Sequence, residues 1–426
     1  MSQPRILIYG DSPSAPTGFG TVIREIFMPM VRDGYADILF YGVNYFGEPH
    51  ELPVKIWPAN VHGGDGDPYG RSRFAHRILL DREPIDLFYF LQDHFTLSWR
   101  VQFPDGQFDQ FVPGLLARMR AQVSEGQRKP FKAVQYVPVD CDSVLPEFLT
   151  WMAAKTPRGE DLLDAVVAYT HFGRRVILDA VPALDGRVHV IPHGTRPDIF
   201  TPMPIEQKVE LRKRCLGAGP NTPVIINVNR NQPRKDVVRS LQVFKRVLAT
   251  FPDAFYYCHM NVADSMGYHL ERARVNLRIP SGRVIFPANF SEGRGVSVQD
   301  LNAVYNCGDV FMTTARGEGW GIVASDSMSA GCPVIAPDHT SFSEILADER
   351  GVLVPCREDK EIMLNDFDQL RPVVDPPVMA KAVVDLLIDG DRRERIARNA
   401  LAWARELTWE RVSGAWRTLF DHVLER

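Results

Sequence analysis

Six cysteines are scattered through the 426 residues, and no two of them form a C-x-x-C pair. Cys141, Cys215, Cys258, Cys307, Cys332 and Cys356 mostly sit in apolar runs, which argues for reduced, buried thiols rather than a disulfide framework. No HExxH or Cys/His cluster suggests a zinc site either. No run of about 18 apolar residues occurs, so no transmembrane helix is expected. The opening residues, MSQPRILIYGDS, carry no basic segment ahead of a long apolar stretch, so no signal peptide is expected and a cytoplasmic location is. Positive charge is not in excess: 49 Lys and Arg against 53 Asp and Glu leave a net charge of -4. Nucleic-acid binding draws no support from such a global field, although a local patch can act alone. Tandem repeats and low-complexity tracts are missing too.

What is present is a soluble globular composition, 45% hydrophobic, with length for two or three domains. Short apolar runs alternate with helical patterns. Arg5–Gly10 leads into a Gly-rich loop, a helix is predicted from Thr21 to Asp33, and Ile38–Tyr41 reads as a strand. Further strands are predicted at 86–91, 133–139, 165–169 and 188–191. After a Pro-rich stretch from Pro197 to Pro204, a second set follows at 224–229, 254–259, 284–287, 310–313, 333–336 and 352–355. These runs are apolar on both faces, as strands of a parallel sheet covered by helices on both sides must be. The fold class is therefore α/β: two Rossmann-like domains, 1–198 and 199–405. Ligands in such sheets bind beyond the carboxyl ends of the strands, so the two halves are expected to face each other across a cleft. Residues 357–378 read as a charged loop excursion, and 380–425 as two or three helices.

The strongest chemical signal is Gly317-Glu318-Gly319-Trp320-Gly321-Ile322-Val323-Ala324-Ser325-Asp326. One acid stands in a Gly-rich turn after a strand, and a second lies eight residues on, within the helix that the turn opens. Unpartnered N–H groups at such a helix start can meet hydroxyls or phosphate oxygens. A second signal is Val228-Asn229-Arg230-Asn231-Gln232-Pro233-Arg234-Lys235-Asp236, with two cations where an anionic leaving group could be held.

These segments resemble the E-x7-E motif and the R-x4-K loop of retaining GT-B glycosyltransferases, glycosyltransferase family 4 in particular. VIPHGTRPDIFTP (190–202), VYNCGDVFMTT and PVIAPDHTSFSEIL follow in that family's order, so the resemblance covers roughly residues 5–355. It implies that the last helix, 406–426, returns to the first domain. It also implies a hexosyltransferase using a nucleotide-sugar donor, a UDP-sugar such as UDP-glucose foremost, with no metal and no other cofactor. Glu318 matches the acid that contacts the donor sugar. Asp326 matches the acid that grips the ribose, with Asp where the family has Glu. Arg230 and Lys235 match the diphosphate-binding pair. Gly319, Trp320, Gly321 and Ile322 complete the donor turn, and Asn289 and Phe290 stand where the base is gripped. In the first domain the resemblance assigns Gly18 and Gly20, in the loop Thr17-Gly18-Phe19-Gly20, to the donor phosphates. Asp140 ends a strand where the family places a His-Asp pair beside the sugar, and is the nearest candidate for that role.

For the acceptor, Asp93 and His94 end the strand DLFYFL and point toward the expected cleft. The basic stretch Arg71, Arg73 and Arg77 is a candidate for an anionic acceptor, a peripheral membrane contact or modified DNA. A glycan or small-molecule acceptor is the leading reading. A hydroxymethylated base in phage DNA and a GT-B nucleotide-sugar epimerase are the alternatives, the former because GEGWG and PDHTSFSEIL resemble a branch with phage-encoded members. Two D-x-D patterns, Asp65–Asp67 and Asp140–Asp142, are the metal-binding mark of the other large glycosyltransferase fold. The two-half layout argues against that fold.

Overall fold

The run RILIYGD forms β1 (Arg5–Asp11), buried on both faces, and the chain turns at once into α1 (Gly18–Arg32). The helix starts three residues earlier than its apolar pattern predicts, because the Thr17 hydroxyl caps it by accepting the Gly20 N–H at 3.0 Å. Gly18 and Gly20 thus belong to the helix's first turn. The chain continues through β2 (Asp37–Val43), β3 (Lys55–Pro58), α2 (Arg71–Asp81), β4 (Leu87–Leu91) and α3 (His94–Ser98). A small hairpin follows, β5 (Arg100–Gln102) with β6 (Phe108–Gln110), then α4 (Phe111–Ser124), β7 (Lys132–Val137), β8 (Ala165–Ala168), α5 (His171–Ala180) and β9 (Val188–Val190). The computed structural model describes residues 3–62, 64, 66–287, 296–364 and 367–425.

The first unit comprises Met1–Val139, Val144–His193 and Trp409–Arg426; the second comprises Asp140–Ser143 and Gly194–Thr408. In the first, seven parallel strands run in the order β3-β2-β1-β4-β7-β8-β9. The edge strand β3 escapes the sequence pattern because it is four residues long and ends in Pro58. The order reverses between β1 and β4, so the carboxyl ends of those two strands frame a topological switch point.

The second unit is built from α6 (Ile205–Leu216), β10 (Val224–Val228), α7 (Val237–Val247), β11 (Phe255–His259), α8 (Leu270–Asn276), β12 (Val284–Ile285) and α9 (Val298–Cys307). Then come β13 (Val310–Met312), α10 (Ile322–Ser329), β14 (Val334–Pro337), α11 (Phe342–Ile345) and β15 (Val352–Val354). Its six parallel strands run β12-β11-β10-β13-β14-β15, with the switch point between β10 and β13. The stretch expected to be a loop excursion contains a hairpin, β16 (Glu361–Ile362) paired antiparallel with β17 (Leu370–Arg371). Helices α12 (Pro376–Ile388) and α13 (Gly390–Glu406) close the unit.

The chain leaves the first unit after His193, ahead of the boundary expected at 198. Thr195 belongs to the second unit because it bridges to Thr408 and its N–H donates to the Leu407 carbonyl at 2.7 Å. The last helix, α14 (Trp409–Val423), lies in the first unit against α1. Trp416 is fully buried against Tyr89, and the Ser413 hydroxyl donates to the Ile26 carbonyl at 2.8 Å. Emptying such an aromatic site typically costs about 3–5 kcal/mol, enough to make the terminal helix part of the first unit's stability. No helix among the described residues is long and apolar enough to cross a membrane.

Candidate functional site

At the switch point of the second unit, β10 ends at Val228 and a short loop carries Arg230, Arg234 and Lys235 toward the start of α7. From the neighbouring strand β13 comes the turn bearing Gly317 and Glu318. Two bonds lock the loops together: the Arg316 N–H donates to the Arg234 carbonyl at 2.8 Å, and the Thr314 hydroxyl to the Asp236 carbonyl at 2.8 Å. Asp236 holds the start of α7 in a left-handed conformation (φ 46°) and draws in Arg239 at 2.6 Å and Arg316 at 2.8 Å. Such strain is kept only where the surroundings fix it.

Glu318 is 7% exposed. Lys235 bonds its Oε1, and Arg234 reaches its Oε2 at 3.3 Å. Burial drives the Glu318 carboxyl upward, but Lys235 and Arg234 outweigh it and hold it below the usual range. Burial lowers the Lys235 ammonium, and Glu318 offsets part of that. The Glu318 backbone is fixed separately. Its N–H donates to the Thr340 hydroxyl at 3.2 Å, and that hydroxyl lies 3.0 Å from His339 Nδ1. His339 Nε2 is 2.9 Å from the Ala315 carbonyl, which requires a proton on Nε2. Burial pushes His339 down to about 4, so the ring stays neutral and keeps that tautomer.

Arg234 also reaches Asp140 Oδ2 at 3.2 Å. Asp140 thereby lies in the second unit, although its strand belongs to the first. Gly317 permits this approach, since a Cβ there would stand 2.0 Å from the Asp140 carbonyl oxygen. Gly319 and Trp320 follow in the turn. Gly321 then adopts φ 96° to launch α10 at Ile322, a conformation that only glycine takes freely. Arg230 is different: its side chain is half exposed, with Nε donating to a fully buried Asp264 carboxylate at 3.0 Å.

Asp326 sits inside α10, 3% exposed, and pairs with Arg196 at 2.7 Å. Asn289 and Phe290 lie outside the described residues, as does Asp65. Of the D-x-D acids, Asp142 pairs with Lys360 at 2.6 Å and Asp140 with arginines. Among the described residues no three of His, Cys, Asp and Glu gather as a metal cage.

The first unit's switch point is built otherwise. Asp11 ends β1, 5% exposed, and accepts from Thr17 at 2.5 Å, Gln92 at 2.5 Å and Asn44 at 3.1 Å. Its pKa is raised by burial, against those three donors. Asp93 and His94 do stand at the end of β4, but His94 is 6% exposed and its Nδ1 faces the Pro138 carbonyl at 3.3 Å. Of the basic stretch, Arg71 is buried and Arg73 half-buried, while Arg77 is exposed. Arg71 bonds Asp67 at 3.1 Å and lies over Trp99, Arg73 donates to the Ala59 carbonyl, and Arg77 stacks 3.7 Å from the Trp57 ring centre.

The chain superposes on a glycosyltransferase from Rickettsia africae with a TM-score of 0.69 at 12% identity, covering 100% of both chains. Against Anabaena HepE in complex with UDP and glucose the TM-score is 0.67 at 16% identity, over 99% of this chain and 100% of that one. The fold is GT-B. A family model described as glycosyl transferases group 1 matches residues 222–371, which contain all of the β10–β13 switch point. In sequence the chain is similar to D-inositol 3-phosphate glycosyltransferases. It is 24% identical to that of Xylanimonas cellulosilytica, over 62% of this chain and 58% of that protein. It is 28% identical to that of Geodermatophilus obscurus, over 58% and 50%. The chain thus spans about half the length of the curated relatives it matches.

Within this GT-B chain, sequence reasoning singles out Glu318, Lys235, Arg230 and Asp140 as candidates but misses the side chains that hold them. Arg234 was legible, lying between two chosen residues in Pro-Arg-Lys. Asp264 and Arg196 are single polar residues far along the chain, and nothing local marks them. Asp11 was readable as a carboxylate ending the first strand.

Proposed function

We propose that the protein is a retaining glycosyltransferase that moves a hexose from a nucleoside diphosphate sugar, a UDP-sugar foremost, to a hydroxyl of a glycan or small molecule. The observation that carries this reading is a buried Glu318 held by Lys235 and Arg234 at a parallel-sheet switch point, with a half-exposed Arg230 on the same loop as the two cations. Arg230 and Lys235 would hold the diphosphate and oppose the charge that grows on it as the glycosidic bond breaks. Glu318 would accept from sugar hydroxyls, and Asp326, steered by Arg196, would meet the ribose. The departing phosphate can take the acceptor's proton on the same face of the sugar, so positioning and electrostatics suffice without a protein nucleophile. The engagement of Arg71 by Asp67 and of Arg73 by the Ala59 carbonyl favours an uncharged acceptor over DNA or an anionic surface.

The test is release of nucleoside diphosphate from a panel of nucleotide sugars, with and without polysaccharide, polyol and hydroxymethylated-DNA acceptors, and with product anomers assigned by NMR. Acceptor-dependent UDP release with retained configuration is the expected result. A new nucleotide sugar formed without acceptor would mean an epimerase instead. Activity should survive EDTA, because Arg230 and Lys235 stand in for a metal. Loss restored by manganese would make Asp140 and Asp142 ligands.

A further inference from the structure

The β16–β17 hairpin is the part of the second unit that the donor reading leaves without a task. Its two strands alternate. Ile362 and Leu370, a cross-strand pair, face outward, while Gln369 and Arg371 are buried. The buried face, with two flanking groups, grips the four-residue segment Asp140–Ser143 at every position. Arg371 Nη1 donates to the Asp140 carbonyl at 2.6 Å and to its Oδ1 at 3.0 Å. The Cys141 thiol donates to Gln369 Oε1 at 2.6 Å, and Lys360 pairs with Asp142 at 2.6 Å. The Ser143 hydroxyl donates to the Leu370 carbonyl at 2.9 Å. On its other side the hairpin is tied to the switch point, where Glu361 accepts from Arg239 at 3.1 Å and Arg316 at 3.2 Å.

We propose that Arg371 is a positioning residue, carried in by this hairpin to set the Asp140 carboxylate. With Arg371 on Oδ1 and Arg234 on Oδ2, both oxygens of Asp140 are oriented. Arg234 in turn spans Asp140 and Glu318, so the two acids are placed by one shared guanidinium. Arg371 is only 2% exposed and lies behind Gly317, where a Cβ would come within 2.5 Å of its Nη1. It acts on the sugar end of the site through Asp140 and touches no donor atom. Cutting it loose lets the carboxylate shift, and misplacement by about 1 Å can cost on the order of 100-fold in rate.

This rests on the donor reading above, and the full-length enzyme tests the two separately. UDP affinity is measured by calorimetry and turnover by UDP release from UDP-glucose, for wild type, Arg371→Lys, Arg371→Met, Asp140→Asn and the Arg371→Met/Asp140→Asn pair. Wild type that neither binds UDP nor releases it defeats the donor reading. If wild type does both, Arg371→Met should keep UDP affinity within about twofold and lose roughly 10- to 100-fold in kcat. Arg371→Lys should recover part of that loss. The double variant should be no slower than Asp140→Asn, since one residue acts through the other. Should Arg371→Met melt early, Arg371→Lys, which keeps the buried charge, decides by its kcat at unchanged UDP affinity. Wild-type kcat in both Arg371 variants, additive losses in the pair, or a fall in UDP affinity matching the fall in kcat would each overturn the proposal.

Discussion

The two switch points are alike in topology and opposite in chemistry. In the first unit a buried carboxylate, Asp11, is cradled by a hydroxyl and two amides. In the second, Glu318 and Asp140 are threaded among Lys235, Arg234 and Arg371. Neutral donors around a carboxylate leave acceptor capacity suited to hydroxyls. Paired cations offer charge that a diphosphate can draw upon. The same strand reversal thus carries two chemical settings, and the difference lies in side chains at the strand ends. Glu318 should therefore be tuned to a reacting sugar, and the first unit's arginines should matter little to the donor.

The largest expected effect breaks the ionic side of this contrast. Glu318→Gln keeps the shape and the accepting oxygen but removes the charge that Lys235 and Arg234 answer. Contacts near the breaking bond tighten as the ring gains positive character, so the loss should fall on kcat. At least about a 100-fold drop is expected, roughly 3 kcal/mol of barrier. Steady-state kinetics over UDP-glucose concentration gives the result. A rise in donor KM with kcat intact would place Glu318 at a part of the donor that does not react.

A middle-sized effect compares the units through one histidine each. His193 in the first unit is packed against the rings of Tyr169, Tyr136 and Trp409, with centres 4.2, 5.6 and 5.5 Å away, and burial pushes it down to about 3. His339 in the second is lowered by burial to about 4. Unfolded, both titrate near 6.5, so below that pH the unfolded chain takes up protons that the folded chain refuses. Their contribution is whole above pH 6.5 and is lost as pH falls through 6.5 toward 4 for His339 and 3 for His193. By pH 5 each costs about 2 kcal/mol. Denaturant midpoints at pH 7 and pH 5 should show this, and His193→Phe and His339→Gln should each flatten part of the slope. Equal slopes in wild type and both variants would mean that neither ring is kept neutral by the fold.

Much of this was legible in the sequence, for a physical reason. Parallel strands buried on both faces must be written as continuous apolar runs, so β1, β4, β10 and β13 stand out. Glycine is compulsory where backbones touch, which makes the Gly317–Gly321 turn conspicuous. The hairpin at 361–371 was not legible. Its strands are two residues each, and its buried residues, Gln369 and Arg371, are polar and bury themselves through specific bonds. Hydrophobic periodicity cannot register such a segment. Arg196 paired with Asp326 failed likewise, because partners 130 residues apart leave no local trace.

The smallest expected effect tests the first unit's arginines. A basic stretch invites the reading of an exposed anion-binding face, but Arg77 lies flat on Trp57 and pairs with Asp81 at 3.6 Å, and Arg73 donates into the backbone at Ala59. Arg73 is engaged inside the unit, and Arg77 is held at the surface by Trp57 and Asp81. Arg73→Met with Arg77→Met keeps the apolar stems and removes both guanidiniums. The cation–π contact at Trp57 is worth about 0.5–1 kcal/mol, so a small drop in the denaturant midpoint is expected. UDP affinity should stay within about twofold, because the cations proposed for the donor, Arg230 and Lys235, are in the second unit. Acceptor turnover should also hold, with no added dependence on salt. The contrast between the two switch points breaks if the double variant folds at the wild-type midpoint yet loses acceptor turnover, most of all at low ionic strength. That pattern belongs to guanidiniums released from Trp57 and Ala59 to meet an anionic acceptor, whose charge salt would screen.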